Sequence, residues 1–138
     1  MIIKRIVIHH SASKGNFYQI NAYYKSIGKK FPYHWYIDKD GFPYKGIYQD
    51  NERGEHIRNK NTGSLGICLE GNLHLENPTE EQLWTLDNII QFILNITHKD
   101  YDIHEIKPHN HYNDTICCGK WLSDYIHKNY NLGEYDGI

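Results

Sequence analysis

No run in this sequence approaches the roughly 18 apolar residues that a membrane-crossing helix requires. The opening residues, Met1 to His10, also lack the apolar core and small-residue cleavage site of a secretory signal. The expectation is therefore a product made in the cytoplasm without a signal peptide and without stable membrane association. Any action outside the cytoplasm would then depend on release or delivery by another system. An excess of charge of one sign is missing too. With 15 Lys and Arg against 17 Asp and Glu, the net charge is −2 with histidines neutral, and no basic field points to nucleic acid. Proline is scarce, at four residues, and no repeat or low-complexity tract interrupts the chain, which excludes disorder away from the ends. Cysteine is scarce and odd in number: three residues, two of them adjacent at Cys117 and Cys118. Such a set makes a poor disulfide framework and a better source of thiolate ligands.

What is present suits one folded unit. The chain has 138 residues, 39% of them hydrophobic and 14% aromatic, enough to bury a core without staples. A single domain over 1–138 is expected, with a polar, frayed tail from Asn131 onward. Ile2 to His9 carries Ile and Val on both faces and reads as a strand buried on both sides. Asn16 with Gln19 three positions later forms a capping box for a helix over Phe17 to Ile27. Tyr33 to Asp38 and Phe42 to Ile47 flank Lys39-Asp40-Gly41, a hairpin signal. Leu65 to Glu70 is a short buried strand closed by Gly71-Asn72. Pro78-Thr79 with Gln82 opens a second helix, in which Leu83, Leu86, Ile90, Ile93 and Leu94 keep helical spacing to about Ile96. Ile103 to Lys107 forms a last strand and Gly119 to Tyr130 a last helix. Strands and helices alternate, so the class is α/β: one mixed sheet of about five strands flanked by about three helices.

Ten histidines are many for this length. A solitary histidine is most often a surface or hydrogen-bonded residue, and His74, His98, His104 and His127 take that reading. Four other places gather reactive groups: His9-His10 at a strand end, Tyr33-His34 opening the hairpin, His56 in a loop, and the stretch from His109 to Cys118. Cys117 follows His109 by eight residues in a polar loop able to fold around an ion. A third donor could come from the His9-His10 strand end; alternation along a strand buried on both faces does not choose between them. Two imidazoles and one thiolate make a borderline-soft set suited to zinc, and three protein ligands leave a position open, as catalytic zinc sites do.

Four segments carry a resemblance. Ile6-Val7-Ile8-His9-His10-Ser11-Ala12 resembles the opening motif of the type 2 N-acetylmuramoyl-L-alanine amidases, which include phage lysozyme-type amidases and the peptidoglycan recognition proteins. Tyr33 through Gly41 is similar to that family's Tyr-His and hairpin segment. Ser64 through Asn72 resembles its central strand, and His109 through Cys117 to Gly119 its closing metal motif. The four occur in the family's order over roughly residues 3 to 126.

The resemblance implies a zinc groove at one edge or face of the sheet, one Zn2+ ion held by His9, His109 and Cys117, and catalytic roles for Tyr33 and Thr115. His34 and His56 match positions near the substrate groove. The implied activity is hydrolysis of the amide between N-acetylmuramic acid and L-alanine in bacterial peptidoglycan. Small size, a single domain and the absent export signal resemble a monomeric phage-type endolysin and equally fit a delivered antibacterial toxin. The alternative within the family is a non-catalytic peptidoglycan-binding module, whose members usually lack the metal cysteine. There are departures. Pro108-His109-Asn110-His111 replaces the usual Gly-His-Arg-Asp, making His111 a candidate ligand. Cys117-Cys118-Gly119 replaces Cys-Pro-Gly, making Cys118 a competitor for the metal. Thr115 stands where many phage enzymes have Lys, and Cys68 where the muropeptide-recycling branch has a catalytic Glu. The sequence offers no evident general base.

Overall fold

The computed structural model describes residues 1–132, so the expected frayed tail lies, from residue 133 on, outside the described residues. The Ile/Val-rich start forms strand β1 (Ile3–His10), and the remaining strands are β2 (Trp35–Ile37), β3 (Pro43–Lys45), β4 (Ser64–Leu69) and β5 (Tyr101–Pro108). Their order in the sheet is β3-β2-β4-β1-β5. Among the described residues, β1 is parallel to both β4 and β5, β2 is parallel to β4, and only the β2–β3 hairpin is antiparallel. The three helices are α1 (Phe17–Ser26), α2 (Glu80–Leu94) and α3 (Lys120–Asn129). The fold is thus α/β with one mixed five-stranded sheet and three helices, as the alternation of elements implies. Among the described residues, no helix is long and apolar enough to cross a membrane.

Local chemistry sets the element ends. Asn16 and Gln19 cap α1 reciprocally, and Thr79 and Gln82 do the same for α2, each pair satisfying two otherwise unpartnered N–H groups. In the hairpin, the Asp38 carboxylate accepts the N–H groups of Asp40 and Phe42. Gly41 sits there at φ +84, with Glu81 main chain where a side chain would go. The ladder runs on past the short strands, since Gly46 and Ile47 donate to the carbonyls of His34 and Tyr33.

The two faces of the sheet have different coats. Ile6, Ile8, Ile37, Leu65, Ile67 and Leu69 meet Leu86, Ile90 and Ile93 of α2 and Leu122 and Ile126 of α3 in the main core. Tyr36 and Cys68 point the other way, into an aromatic cluster with Phe31 that includes Phe17, Ile20 and Tyr24 of α1. Burial on both faces explains why β1 and β4 read as continuous apolar runs rather than alternating ones. The expected strand at Ile103–Lys107 is longer than its apolar part. β5 begins at Tyr101 because edge pairing with β1 recruits the polar residues before Ile106.

Candidate metal centre

In an open sheet, the C-terminal ends of parallel strands are where binding groups collect. β1 and β5 end side by side, with Ile8 in register with Pro108. The next residue on β1 is His9, and the residue after β5 is His109, which opens a short 3-10 turn over His109–His111. His9 is in register with Cys68, so it emerges on the aromatic α1 side of the sheet, while His10 turns towards the main core. There the His10 ring accepts the Leu73 N–H at 2.9 Å. Geometry thus sets the His9 ring, not the His10 ring, beside Cys117.

Cys117 arrives from the loop before α3. Its carbonyl accepts the Asn110 N–H at 2.9 Å, and its own N–H donates to the Thr115 hydroxyl at 3.2 Å. The His10 main-chain N–H points at Cys117 Sγ from 3.4 Å, a donor suited to a thiolate. One donor atom each from His9, His109 and Cys117 falls within 4.8 Å of the others. Cys117 Sγ is 3.8 Å from His9 Nδ1. A tetrahedron with zinc–nitrogen and zinc–sulfur bond lengths has edges of about 3.5 Å, so the His9–Cys117 pair is already near that spacing, and a set spread within 4.8 Å would draw in to hold such an ion. Among the described residues, the set contains no fourth His, Cys, Asp or Glu.

The protonation states suit a cation. Burial, with His56, His109 and His10 nearby, holds His9 well below the ordinary imidazole pKa. Burial also lowers His109, against the opposing pull of its hydrogen bond to Asn113. Both therefore present neutral nitrogens near pH 7. Burial pushes the Cys117 thiol up to about 12, against the opposing His10 N–H. Binding a metal there requires loss of that proton.

The other residues singled out by sequence divide clearly. Tyr33 lies beside the donors, its ring centroid 5.0 Å from that of His9. Burial raises its phenol well above 10, so it stays protonated and can donate; it also bonds to Tyr24. Thr115 is half-buried and braces the Cys117 main chain. His34 is fully buried, accepting the Gly66 N–H at 3.0 Å and donating to the Glu52 carbonyl. It joins β2 to β4 and has no free nitrogen for a substrate. His56 is 7% exposed, with its ring nitrogens on His9 and on the Ser64 carbonyl. His111 is exposed and lies near the rings of Tyr112 and His127. Cys118 is buried in the main core, 3.8 Å from Ser123 Oγ. Neither joins the donor cluster. His74, His98, His104 and His127 are exposed, as most histidines outside a site are.

Sequence reasoning missed Asn113, whose Oδ1 lies 2.8 Å from His109 Nε2. Its position four residues past His109, across a tight turn, was the one available signal. A cleft of about 1110 Å³ also went unseen; Tyr24, Lys25, Lys29, Lys30 and Arg53 are among the residues lining it. None of the three donors lines it, and Tyr24, through Tyr33, links it to them.

The comparisons agree with the motif order. A family model described as N-acetylmuramoyl-L-alanine amidase matches residues 1–120. No curated protein sequence matches the chain. Among solved structures it is similar to the N-acetylmuramoyl-L-alanine amidase LysC from Clostridium intestinale URNW. That likeness has 30% identity and a TM-score of 0.76, covering 86% of this chain and 78% of that one. The peptidoglycan recognition protein ectodomains LCa and LCx, solved with tracheal cytotoxin bound, match at 25% identity with a TM-score of 0.79, over 94% of this chain and 83% of that one. Wild-type Drosophila PGRP-LB, at 23% identity, shares the fold with a TM-score of 0.81, over 99% of this chain and 86% of that one.

Proposed function

The chain belongs to the N-acetylmuramoyl-L-alanine amidase family, and on that premise we propose that it is a zinc-dependent amidase of bacterial peptidoglycan, acting as a phage-type endolysin. The reaction adds water across the amide joining the lactyl group of N-acetylmuramic acid to L-alanine. The C–N bond breaks, a C–O bond forms, and the free amino group of alanine is released. One observation carries the reading: two neutral imidazoles and one cysteine converge at the C-terminal ends of β1 and β5 with no fourth such side chain among them. A closed structural site would need that fourth ligand. A recognition module would not need the cysteine.

His9, His109 and Cys117 would hold the ion, which when bound supplies Lewis acidity to a carbonyl oxygen and acidifies water. The chain's own groups do the rest. Tyr33, protonated at neutral pH, donates a hydrogen bond towards the oxygen that becomes negative as the carbonyl is attacked. A donor of that kind is worth about 3 kcal/mol of barrier. Thr115 holds the Cys117 main chain, and the His10 N–H holds the sulfur. The cleft is lined by Lys25, Lys29, Lys30 and Arg53 against Glu52 and Glu55, and this cationic excess suits a stem peptide with free carboxylates. We take the whole chain as one catalytic domain that works as a monomer on the wall, without nucleic acid or membrane partners.

Incubating purified sacculi with the protein, with and without prior chelation, tests the reading. Release of new alanine amino groups that stops on chelation and returns with zinc is expected. Binding to sacculi without release would make the protein a recognition module. Release that is indifferent to chelation would remove zinc from the mechanism.

A further inference from the structure

We propose that His56 and Asn113 are positioning residues that prepare His9 and His109 as Nδ1 donors, and that one turn of chain, residues 56–61, holds both in place. The inference rests on the metal reading above only for what the prepared nitrogens receive.

The first chain of hydrogen bonds starts at a carbonyl. His56 Nε2 lies 3.3 Å from the Ser64 main-chain oxygen, which can only accept, so the His56 proton sits on Nε2. A neutral His56 then has a bare Nδ1, and this atom is 2.8 Å from His9 Nε2. His9 must carry its proton there. Its Nδ1 is left bare, and that is the atom facing Cys117 Sγ at 3.8 Å. A second proton on His56 would reverse the chain, and it would have to be buried among His9 and His34.

The second chain reaches the same result by a different route. Asn113 Oδ1 accepts from His109 Nε2 at 2.8 Å and from the Arg58 N–H at 3.0 Å, while its Nδ2 donates to the Arg58 carbonyl at 3.2 Å. Flipping the amide would set N–H against N–H and oxygen against oxygen, so the Arg58 main chain fixes which end faces His109. His109 keeps its proton on Nε2 and offers Nδ1. His56 and Arg58 are two residues apart, and Asn61 Oδ1 closes their turn by accepting the N–H groups of His56 and Ile57 at 2.9 and 2.8 Å. One short segment therefore braces the ring from β1 through a side chain and the ring after β5 through its backbone. An incoming ion finds a bare Nδ1 on each ring.

Outer hydrogen bonds of this kind are typically worth about 10- to 100-fold in metal affinity. The first test uses the unaltered, metal-free protein labelled with ¹⁵N. Long-range proton–nitrogen correlation near neutral pH should show His9 and His109 protonated at Nε2. A protonated Nδ1 on either overturns the proposal for that ring. The second test measures zinc affinity by competition with a chromophoric chelator. His56→Phe keeps a ring in place but removes the acceptor, and zinc affinity should fall about 10- to 100-fold while the His9 tautomer loses its preference. His56→Asn, whose Oδ1 can stand near the lost Nδ1, should recover most of the affinity. Asn113→Leu and Asn113→Asp form the matching pair for His109. Unchanged affinity and tautomers in both His56→Phe and Asn113→Leu would overturn the positioning role and leave the zinc reading standing. If the unaltered protein takes up no zinc, the zinc reading fails, and the tautomers still decide the positioning role.

Discussion

Gly66 is a glycine in the middle of β4 whose replacement by alanine sets two effects against each other. Its backbone is not in the positive-φ region, so alanine is conformationally acceptable there. On backbone entropy alone, Gly66→Ala should stabilise by about 0.4–1 kcal/mol. The added methyl, however, would lie 3.0 Å from His56 Cγ and Nδ1 and 3.1 Å from Cδ2. Ordinary carbon contacts begin near about 3.5 Å, so the ring would have to retreat by about half an ångström. It has little freedom to do so, being bonded at one nitrogen to His9, at the other to Ser64, and at its main chain to Asn61. Overpacking of this kind costs about 1–3 kcal/mol, which exceeds the entropic gain. The net expectation is a loss of about 1–2 kcal/mol of folding stability. The 2.8 Å contact from His56 to His9 should stretch beyond good hydrogen-bond range, and zinc affinity should fall about tenfold. Chemical denaturation of the metal-free protein reads the first quantity, and chelator competition reads the second. A companion variant isolates the contact: in a His56→Ala background the ring is gone, and Gly66→Ala should then stabilise. If Gly66→Ala stabilises the protein with His56 present, the tight fit between β4 and the 56–61 turn is refuted.

Other outcomes follow from the same geometry. Cys117→Ala should abolish zinc uptake and hydrolysis together, because the Cys118 sulfur is turned into the core and cannot substitute; residual stoichiometric zinc by metal analysis would contradict this. Tyr33→Phe should keep zinc while lowering kcat about 100-fold, the usual effect of deleting a donor to a developing oxyanion; unchanged turnover on sacculi would remove Tyr33 from the chemistry. Zinc affinity should rise about tenfold per pH unit from near pH 7 upward. The sign follows from Cys117, whose buried thiol, at about 12, must give up one proton to bind, whereas both imidazoles are already neutral. Titration of affinity against pH should give a slope near one, and a flat profile would mean that the thiol is not displaced from its proton.

Much of this was legible before any coordinates. Both capping boxes, the hairpin turn and the buried strands rest on rules that act over a few residues, and the helices begin where those rules put them. The donor trio was legible through motif order rather than spacing, because nothing local ties His9 to residues a hundred positions later. The bracing of the site was not legible. His56 stands out in the sequence as a match to a groove position, and its contact with His9 emerges only once β4 is seen to leave room for the ring at Gly66. Asn113 resembles a polar turn residue until the Arg58 main chain is seen to meet it. Both roles depend on tertiary approach between segments about 50 residues apart, which periodicity and propensity do not encode. For the same reason the sequence does not show that both His34 ring nitrogens are held by main chain, one by Gly66 and one by Glu52.

β1, the earliest strand in chain order, is flanked in the sheet by β4 and β5, both much later in the chain. A nascent polypeptide therefore carries its first imidazole through synthesis of most of this domain before both flanking neighbours exist. The thiol that completes the trio leaves the ribosome later still. A product of synthesis interrupted before that point lacks one of the three donors, so the centre can assemble only once almost the entire domain has been translated.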